Sequence, residues 1–545
     1  MWCKGWPGGR VLASQARPPA SGAMACEVAG WGDGGLPSGA ESDFGNCHPG
    51  GETVGMAHAS TTQRPLQRSA VAPKVLKPEG CRRRLERLAH RLIRKKFTDA
   101  QGLWDFQLEL LELQRQIQRA ITATKKAART DKSKRGDLDE LRVIRWLARR
   151  LGDAFAWVLL GLDRQVIHAL GEGAGVPVTS EEGHGDIGVK GIAIHLSSEG
   201  WGFPLIHDVT DCLRIGDITF IKPSEELSRE LRTVEVKTRL LSETEPDEER
   251  EGMSRYEVTL LAPEPLDPPV AAVKPTTEAP IADAGGGSNE VAAQLKPRRP
   301  DRREKQQLRR MSKALTRRSA ENGEVVTIPG ETPMVSFMFE SEVDSHWKTL
   351  RSVVRAARRE GYASAVVDDA LLYVAIYDRE GVTDEHIKNP QMREDLTGSG
   401  ILPPARGEGR DSLVVNQIPP LHKGGDQRFL PFYLYSVPWN VVSDIMKNRL
   451  AVIVLVNPGQ IFRALEAEGF RVEVSNKLDL SHESFRVFSE ITNDGGDAYK
   501  ITLGGMSYNV LEIVHEFKSV NYVVESAKAM VAVARGTLID SRRAD

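Results

Sequence analysis

The chain has 545 residues, 40% of them hydrophobic and 27% charged, with a net charge of −2. That is enough apolar material for two or three domains, and the near-zero charge excludes a uniformly basic or acidic protein. No apolar run reaches membrane-spanning length, the longest being "AFAWVLLGL" (154–162) and "LAVIVLV" (450–456), and the five cysteines support neither a disulfide framework nor a zinc site.

In chain order, residues 1–80 read as a disordered, low-complexity head rich in Gly, Pro, Ala and Ser, with Met24 and Met56 as alternative starts. The first residues lack the apolar stretch of a signal peptide, so the cytoplasm is the expected location and no membrane is expected as a partner. Helical pattern begins at "CRRRLERLAHRLIRKKF" (81–97). A second helix follows in which Phe106, Leu110, Leu113, Ile117, Ala120 and Thr124 recur in steps of three and four. A third runs through "LDELRVIRWLARRLGDAFAWVLLG", with Asp137 as N-cap and Gly161 near its end, so that the second and third form a helical hairpin.

Glycines at 171, 173, 175, 183, 185, 188 and 191 mark loops. After them, "GIAIHLSS", "LRIGDITFI", "RTVEVKTRL" and "RYEVTLLA" read as strands. Residues 263–295, with six prolines and a Gly-Gly-Gly, read as a flexible insertion, followed by a basic helix over 301–320. From 331 to 545 the pattern is α+β. "SAVVDDALLYVAIYD" and "LAVIVLV" are strand-like, and "HWKTLRSVVRAARREG" and "NVLEIVHEFKSVNYVVESAKAM" are helix-like. The domains expected are thus the head (1–80), a helical hairpin with an α/β domain (81–330), and an α+β domain (331–545) that could dock a protein partner.

The chemistry concentrates between 213 and 239. If the hairpin turns near Glu226, Asp217 faces Glu235 across the ladder, and strand alternation puts Glu235 and Lys237 on one side. A one-residue slip would send every side chain to the opposite face. Two adjacent carboxylates repel unless a cation lies between them, and oxygen-only donors suit Mg²⁺, which keeps waters and is completed by substrate phosphates. A lysine beside such a metal can orient or deprotonate a water and offset charge on a phosphate. The competing reading has Asp217 ending a strand, with Glu235 and Lys237 in a solvated ladder on the sheet face. An "EFK" copy at 516–518 lies in a helical pattern, where residues two apart diverge.

At these residues the sequence resembles the PD-(D/E)XK nuclease superfamily: "GD-I" (216–218) matches the strand-borne Asp, and "E-V-K" (235–237) the second half of the motif. The resemblance covers roughly 137–330. It implies an α/β (α+β) class with a restriction-endonuclease-like mixed sheet flanked by helices. It also implies a metal-dependent nuclease using Mg²⁺ or Mn²⁺, with Asp217 and Glu235 as ligands and Lys237 activating water. Members often carry a further acid on the first helix, and Glu140 and Asp153 are the alternatives here. The motif's proline is replaced by Gly216, and a Pro-rich insertion precedes the next helix.

Residues 82–96 hold eight Arg or Lys against one Glu, and 296–318 eleven against two acids. Such surfaces bind phosphate backbones through counterion release, so nucleic acid is the expected partner, DNA before RNA. In the second run Arg302, Arg303, Lys305, Gln307, Arg309 and Arg310 are the candidate contacts. A catalytically inactive nucleic-acid-binding or regulatory protein is the alternative function, and a module binding an acidic protein is a third. His168, His184, His195 and His207 lack partners at ligand spacing and read as surface or satisfied core histidines. Asp208 and Asp211 read as loop acids, and Asp368–Asp369 as a turn or bulge.

Overall fold

The computed structural model describes residues 77–94, 97, 99–171, 184–223, 229–240, 256–261, 309, 312, 325–326, 334–335, 345–401, 414–418, 429–474, 485–492 and 498–544. Nearly all of the head, and the Pro-rich insertion at 263–295, lie outside them. Helix α1 (Pro78–Ile93) starts three residues ahead of the expected Cys81, with Pro78 in the first turn, where a missing N–H costs nothing. Its buried face is Cys81, Leu85, Leu88, Ala89 and Leu92.

Helix α2 (Ala100–Ala127) is capped by Asp99, whose side chain accepts from the Gly102 N–H at 2.7 Å. Of the six predicted seam residues, Phe106, Leu110, Leu113, Ile117 and Ala120 are fully buried, while Thr124, near the helix end, is only half-buried. Helix α3 (Lys134–Leu159) packs back along α2 as the expected hairpin. Its N-cap position is Ser133, and Asp137 sits instead in the first turn, paired with Lys134 at 3.3 Å.

The run at 191–198 is not a strand. Residues His184–Leu196 form helix α5, after a short α4 (Arg164–Gly171). Ile192, Ala193 and Leu196 bury themselves against Ile218, Phe220, Val234 and Val236. This tertiary burial outweighs the low helix propensity of three glycines. The strands that follow are β1 (Phe203–Ile206), β2 (Ile218–Pro223), β3 (Arg229–Leu240) and β4 (Tyr256–Leu261), a four-stranded meander in that order. Every pair in it is antiparallel, where a mixed sheet is expected, because chain neighbours joined directly pair antiparallel and parallel strands need a long crossover. One face of β2–β3 lies under α5; the other carries Thr219, Ile221, Thr233 and Glu235 toward the helical hairpin. At the edge strand β1, the Gln107 side chain donates to the Pro204 carbonyl (3.0 Å) and accepts from the Ile206 N–H (2.8 Å), taking a neighbouring strand's place.

After a two-residue ribbon (Val325–Val326 with Met334–Val335), helix α6 (Trp347–Glu360) leads into a second antiparallel sheet. Its strands are Tyr362–Val367, Leu371–Tyr377, Leu450–Val456 and Val414–Ile418 in spatial order. Asp368 and Asp369 both adopt positive φ (51° and 53°) and form the tight turn between its first two strands. A three-stranded sheet (471–474, 485–492, 498–503) precedes two closing helices, Met506–Glu516 and Val520–Ala544. The single helix expected there is broken at Phe517, which takes φ 58°. The class is therefore α+β with antiparallel sheets. Among the described residues, no helix is long and apolar enough to cross a membrane.

The two halves share one core. Trp146 stacks on Phe432 (5.8 Å between centroids), the Tyr433 hydroxyl donates to the Leu147 carbonyl (3.1 Å), and Arg150 donates to the Phe429 carbonyl (3.1 Å). A buried ionic knot adds to this. Arg164 pairs with Glu516 and, at 2.5 Å, with Glu512, while Lys518 pairs with Glu512 at 2.9 Å. Burial works against the Glu516 carboxylate ionising, but the Arg164 guanidinium beside it holds its pKa below the ordinary value.

Candidate active site

The β2–β3 register pairs Ile218 with Val234 and Pro223 with Arg229, a constant index sum that, continued one residue beyond the ladder, aligns Asp217 with Glu235. Asp217 itself lies just before β2. Its N–H donates to the Val234 carbonyl (2.8 Å), and its carboxylate accepts from the Val236 N–H (2.6 Å). The side chain thus takes the place of the ladder partner that β3 loses where β2 begins. Gly216 makes this geometry possible. It sits at φ +74°, and a Cβ there would lie 2.6 Å from the Thr233 methyl and 2.8 Å from the Val234 carbonyl oxygen. Proline, fixed near φ −65°, cannot adopt this conformation, so the departure from the motif follows from the local backbone.

Glu235 is 4% exposed, which rules out a solvated ladder at that position. It pairs with Leu261 of β4, and Lys237, two residues on, pairs with Thr259; the Lys237 side chain lies outside the described residues. Beside this pair runs a buried hydrogen-bond chain. His207 Nδ1 meets the Gly216 carbonyl (3.1 Å), Nε2 meets the Thr219 hydroxyl (2.8 Å), and Thr219 meets Thr233 (2.8 Å). Burial pushes the His207 pKa down to about 4, so the ring is neutral at pH 7. With Nδ1–H donating to the carbonyl, Nε2 accepts from Thr219, which in turn accepts from Thr233. His207 is therefore a satisfied core histidine, and its N–H also holds the Asp217 carbonyl (2.9 Å).

The helix-borne acids are engaged elsewhere. Asp153 Oδ1 accepts from the N–H groups of Asp211 (2.6 Å) and Cys212 (2.7 Å), and Oδ2 accepts from Arg150 (2.9 Å). Complete burial raises its pKa despite the Arg150 charge. One turn earlier, Arg149 donates to Asp211 (2.7 Å), Gln114 (3.0 Å) and the carbonyls of Asp208 and Thr210. Gly152 lies between them, its Cα against the Val209 carbonyl. Asp153 and Arg149 thus clamp the loop leading to Asp217, and Asp208 and Asp211 are loop residues held by that clamp. Glu140, thirteen residues or about 20 Å up the helix, pairs with Arg82 at 3.2 Å.

Asp217 and Glu235 thus occupy facing positions of the continued register, while Glu140 and Asp153 have partners elsewhere. Among the described residues no group of three or more His, Cys, Asp or Glu is placed to hold a metal ion. Two carboxylates remain a donor set of the type that suits Mg²⁺ when waters and phosphate complete the shell. Of the basic segment, Arg309 is helical and exposed; Arg302, Arg303, Lys305, Gln307 and Arg310 lie outside the described residues. Sequence reasoning missed the Arg149–Gly152–Asp153 clamp and the His207–Thr219–Thr233 chain. The one available signal was the spacing of Arg149 and Arg150 four and three residues before Asp153, with apolar residues on either side. No protein-family model, curated protein or solved structure matches this chain.

Proposed function

We propose that the chain is a metal-dependent nuclease that hydrolyses phosphodiester bonds in nucleic acid at the Asp217, Glu235 and Lys237 hairpin, within a restriction-endonuclease-like domain. The observation that supports this reading is the register, which, continued one residue past the Ile218–Val234 pair, aligns Asp217 with Glu235, with Lys237 two residues further along β3. Asp217 and Glu235 would hold Mg²⁺ or Mn²⁺, and the metal would supply Lewis acidity and a more acidic bound water. Lys237 would orient or deprotonate the attacking water and offset charge building on the phosphate. Gly216 and the clamped loop hold Asp217 just ahead of β2, so that its position is set before substrate arrives.

A second reading, a nucleic-acid-binding protein without cleavage, is favoured by the burial of Glu235 and by the bond from the Val236 N–H to the Asp217 carboxylate. These give both acids a structural role. Incubation of the full chain with DNA and with RNA, in Mg²⁺, in Mn²⁺ and in EDTA, separates the two. The nuclease degrades nucleic acid only with metal, and Lys237→Ala abolishes degradation while binding persists. Binding with no degradation in either metal overturns the nuclease and leaves the second reading.

A further inference from the structure

A groove of about 770 Å³ runs beside α1, far in sequence from the hairpin. Arg83, Arg84, Arg87 and Arg91 line it, together with His90 and with Trp439, the first residue of the helix Trp439–Met446. Arg83, Arg87 and Arg91 follow one another at four-residue intervals, so they form a stripe with a cation every ~6 Å along the helix. Like charges at this spacing oppose helix formation. The helix bears that cost because Leu85, Leu88 and Leu92 are buried beneath it.

The charges are only partly answered. Arg83 reaches Glu79 at 3.7 Å, Arg91 pairs with Glu109 at 2.8 Å, and the groove's own Glu86 meets Lys447 at 3.6 Å. Arg84 meets only the uncharged Gln116 (2.5 Å), and Arg87 is exposed, with no ion pair or hydrogen bond among the described residues. The aromatic wall is ordered too, with His90 edge-on to Trp439 at 5.2 Å between ring centroids.

From this arrangement we infer that the groove binds single-stranded nucleic acid, with phosphates along the arginine stripe and a base stacked on Trp439. A row of guanidiniums beside a flat ring is the arrangement that tracks a backbone while stacking bases without reading sequence. An acidic peptide would satisfy the arginines but leave Trp439 without a planar partner. A duplex keeps its bases stacked inside, out of the ring's reach. The assignment does not rest on the hairpin chemistry, and it is tested with cleavage blocked.

The full chain is titrated in EDTA against a fluorescent single-stranded oligothymidylate of roughly ten nucleotides, read by anisotropy. Arg87→Glu changes an exposed side chain and is expected to weaken binding about tenfold, and to make the dependence of log affinity on log salt shallower by roughly one. Trp439→Leu is expected to weaken binding by a similar ~10-fold with the salt dependence unchanged, and to leave an abasic strand of equal length unaffected. Arg393→Glu, at an exposed arginine on the helix Pro390–Gly398, is the control for charge reversal elsewhere. Wild-type affinity in both groove variants overturns the site. Competition by polyglutamate as effective as by the oligonucleotide assigns the groove to acidic protein and overturns the nucleic-acid assignment. Equal competition by a duplex overturns the preference for single strands.

Discussion

Gly152→Ala tests whether the clamp on the loop before Asp217 is as tight as the structure makes it. A Cβ at position 152 would lie 1.7 Å from the Val209 carbonyl oxygen, and the atom it meets is backbone, which no rotamer change can move. Restoring ordinary contact requires α3 and the loop to part by on the order of 1.5–2 Å. Overpacking of that kind costs about 1–3 kcal/mol. The same displacement lengthens the bonds from the Asp211 and Cys212 N–H groups to the buried Asp153 carboxylate, at about 1 kcal/mol each. Alanine returns about 1 kcal/mol of helix propensity, so the net loss is about 2–4 kcal/mol. Gly136→Ala is the matched control: it lies on the same helix with nothing within 4 Å of its added Cβ, and it should be stabilising by up to about 1 kcal/mol. Thermal melts give the two signs, and amide exchange over 207–213 locates the damage. If Gly152→Ala melts at or above the wild type, or leaves exchange in that loop unchanged, the close approach and the reasoning built on it are wrong.

Two further predictions concern charge. Because the folded chain holds His207 near 4 while the unfolded chain titrates near 6.5, the unfolded state takes up the proton first as pH falls. Stability should therefore decline between about pH 6.5 and pH 4 by about 3 kcal/mol, a slope seen in melting temperature against pH. His207→Gln should flatten that window, and an unchanged slope would show that other groups cause it. Arg164→Met leaves two carboxylates that are 2–3% exposed with Lys518, paired to Glu512, as the remaining cation of the knot, at an expected ~3–5 kcal/mol. Adding Glu516→Gln should recover part of the loss at neutral pH. A single-variant cost below about 1 kcal/mol would mean the knot contributes little.

The hairpin was legible because its signals agree: two alternating runs, a polar turn between them, and one centre of symmetry at Glu226 that the register reproduces. The long helices were legible for the same reason, since Phe106 to Ala120 keep one period over four turns. The run at 191–198 was not, because eight residues of mixed apolar and glycine character satisfy a strand pattern as readily as a helix pattern. The sheet face formed by Ile218, Phe220, Val234 and Val236 decided between them, and that face exists only after folding. Asp153 could not be separated from Glu140 because its partners are backbone amides 58 and 59 residues away. The helix break at Phe517 was hidden by apolar spacing that continues through it.

The stacking of Trp146 on Phe432 and the bond from Tyr433 to Leu147 bear on how this protein can be cut. A fragment ending before residue 429 would keep the hairpin and its acids but present the bare flank of α3 to water. The guanidinium of Arg150 would lose its bond to the Phe429 carbonyl. Such a piece would be expected to aggregate when made alone and to regain solubility when the missing segment is supplied in trans, as split reporters do. Minimal versions of this chain should therefore be sought by trimming its ends, not by halving it.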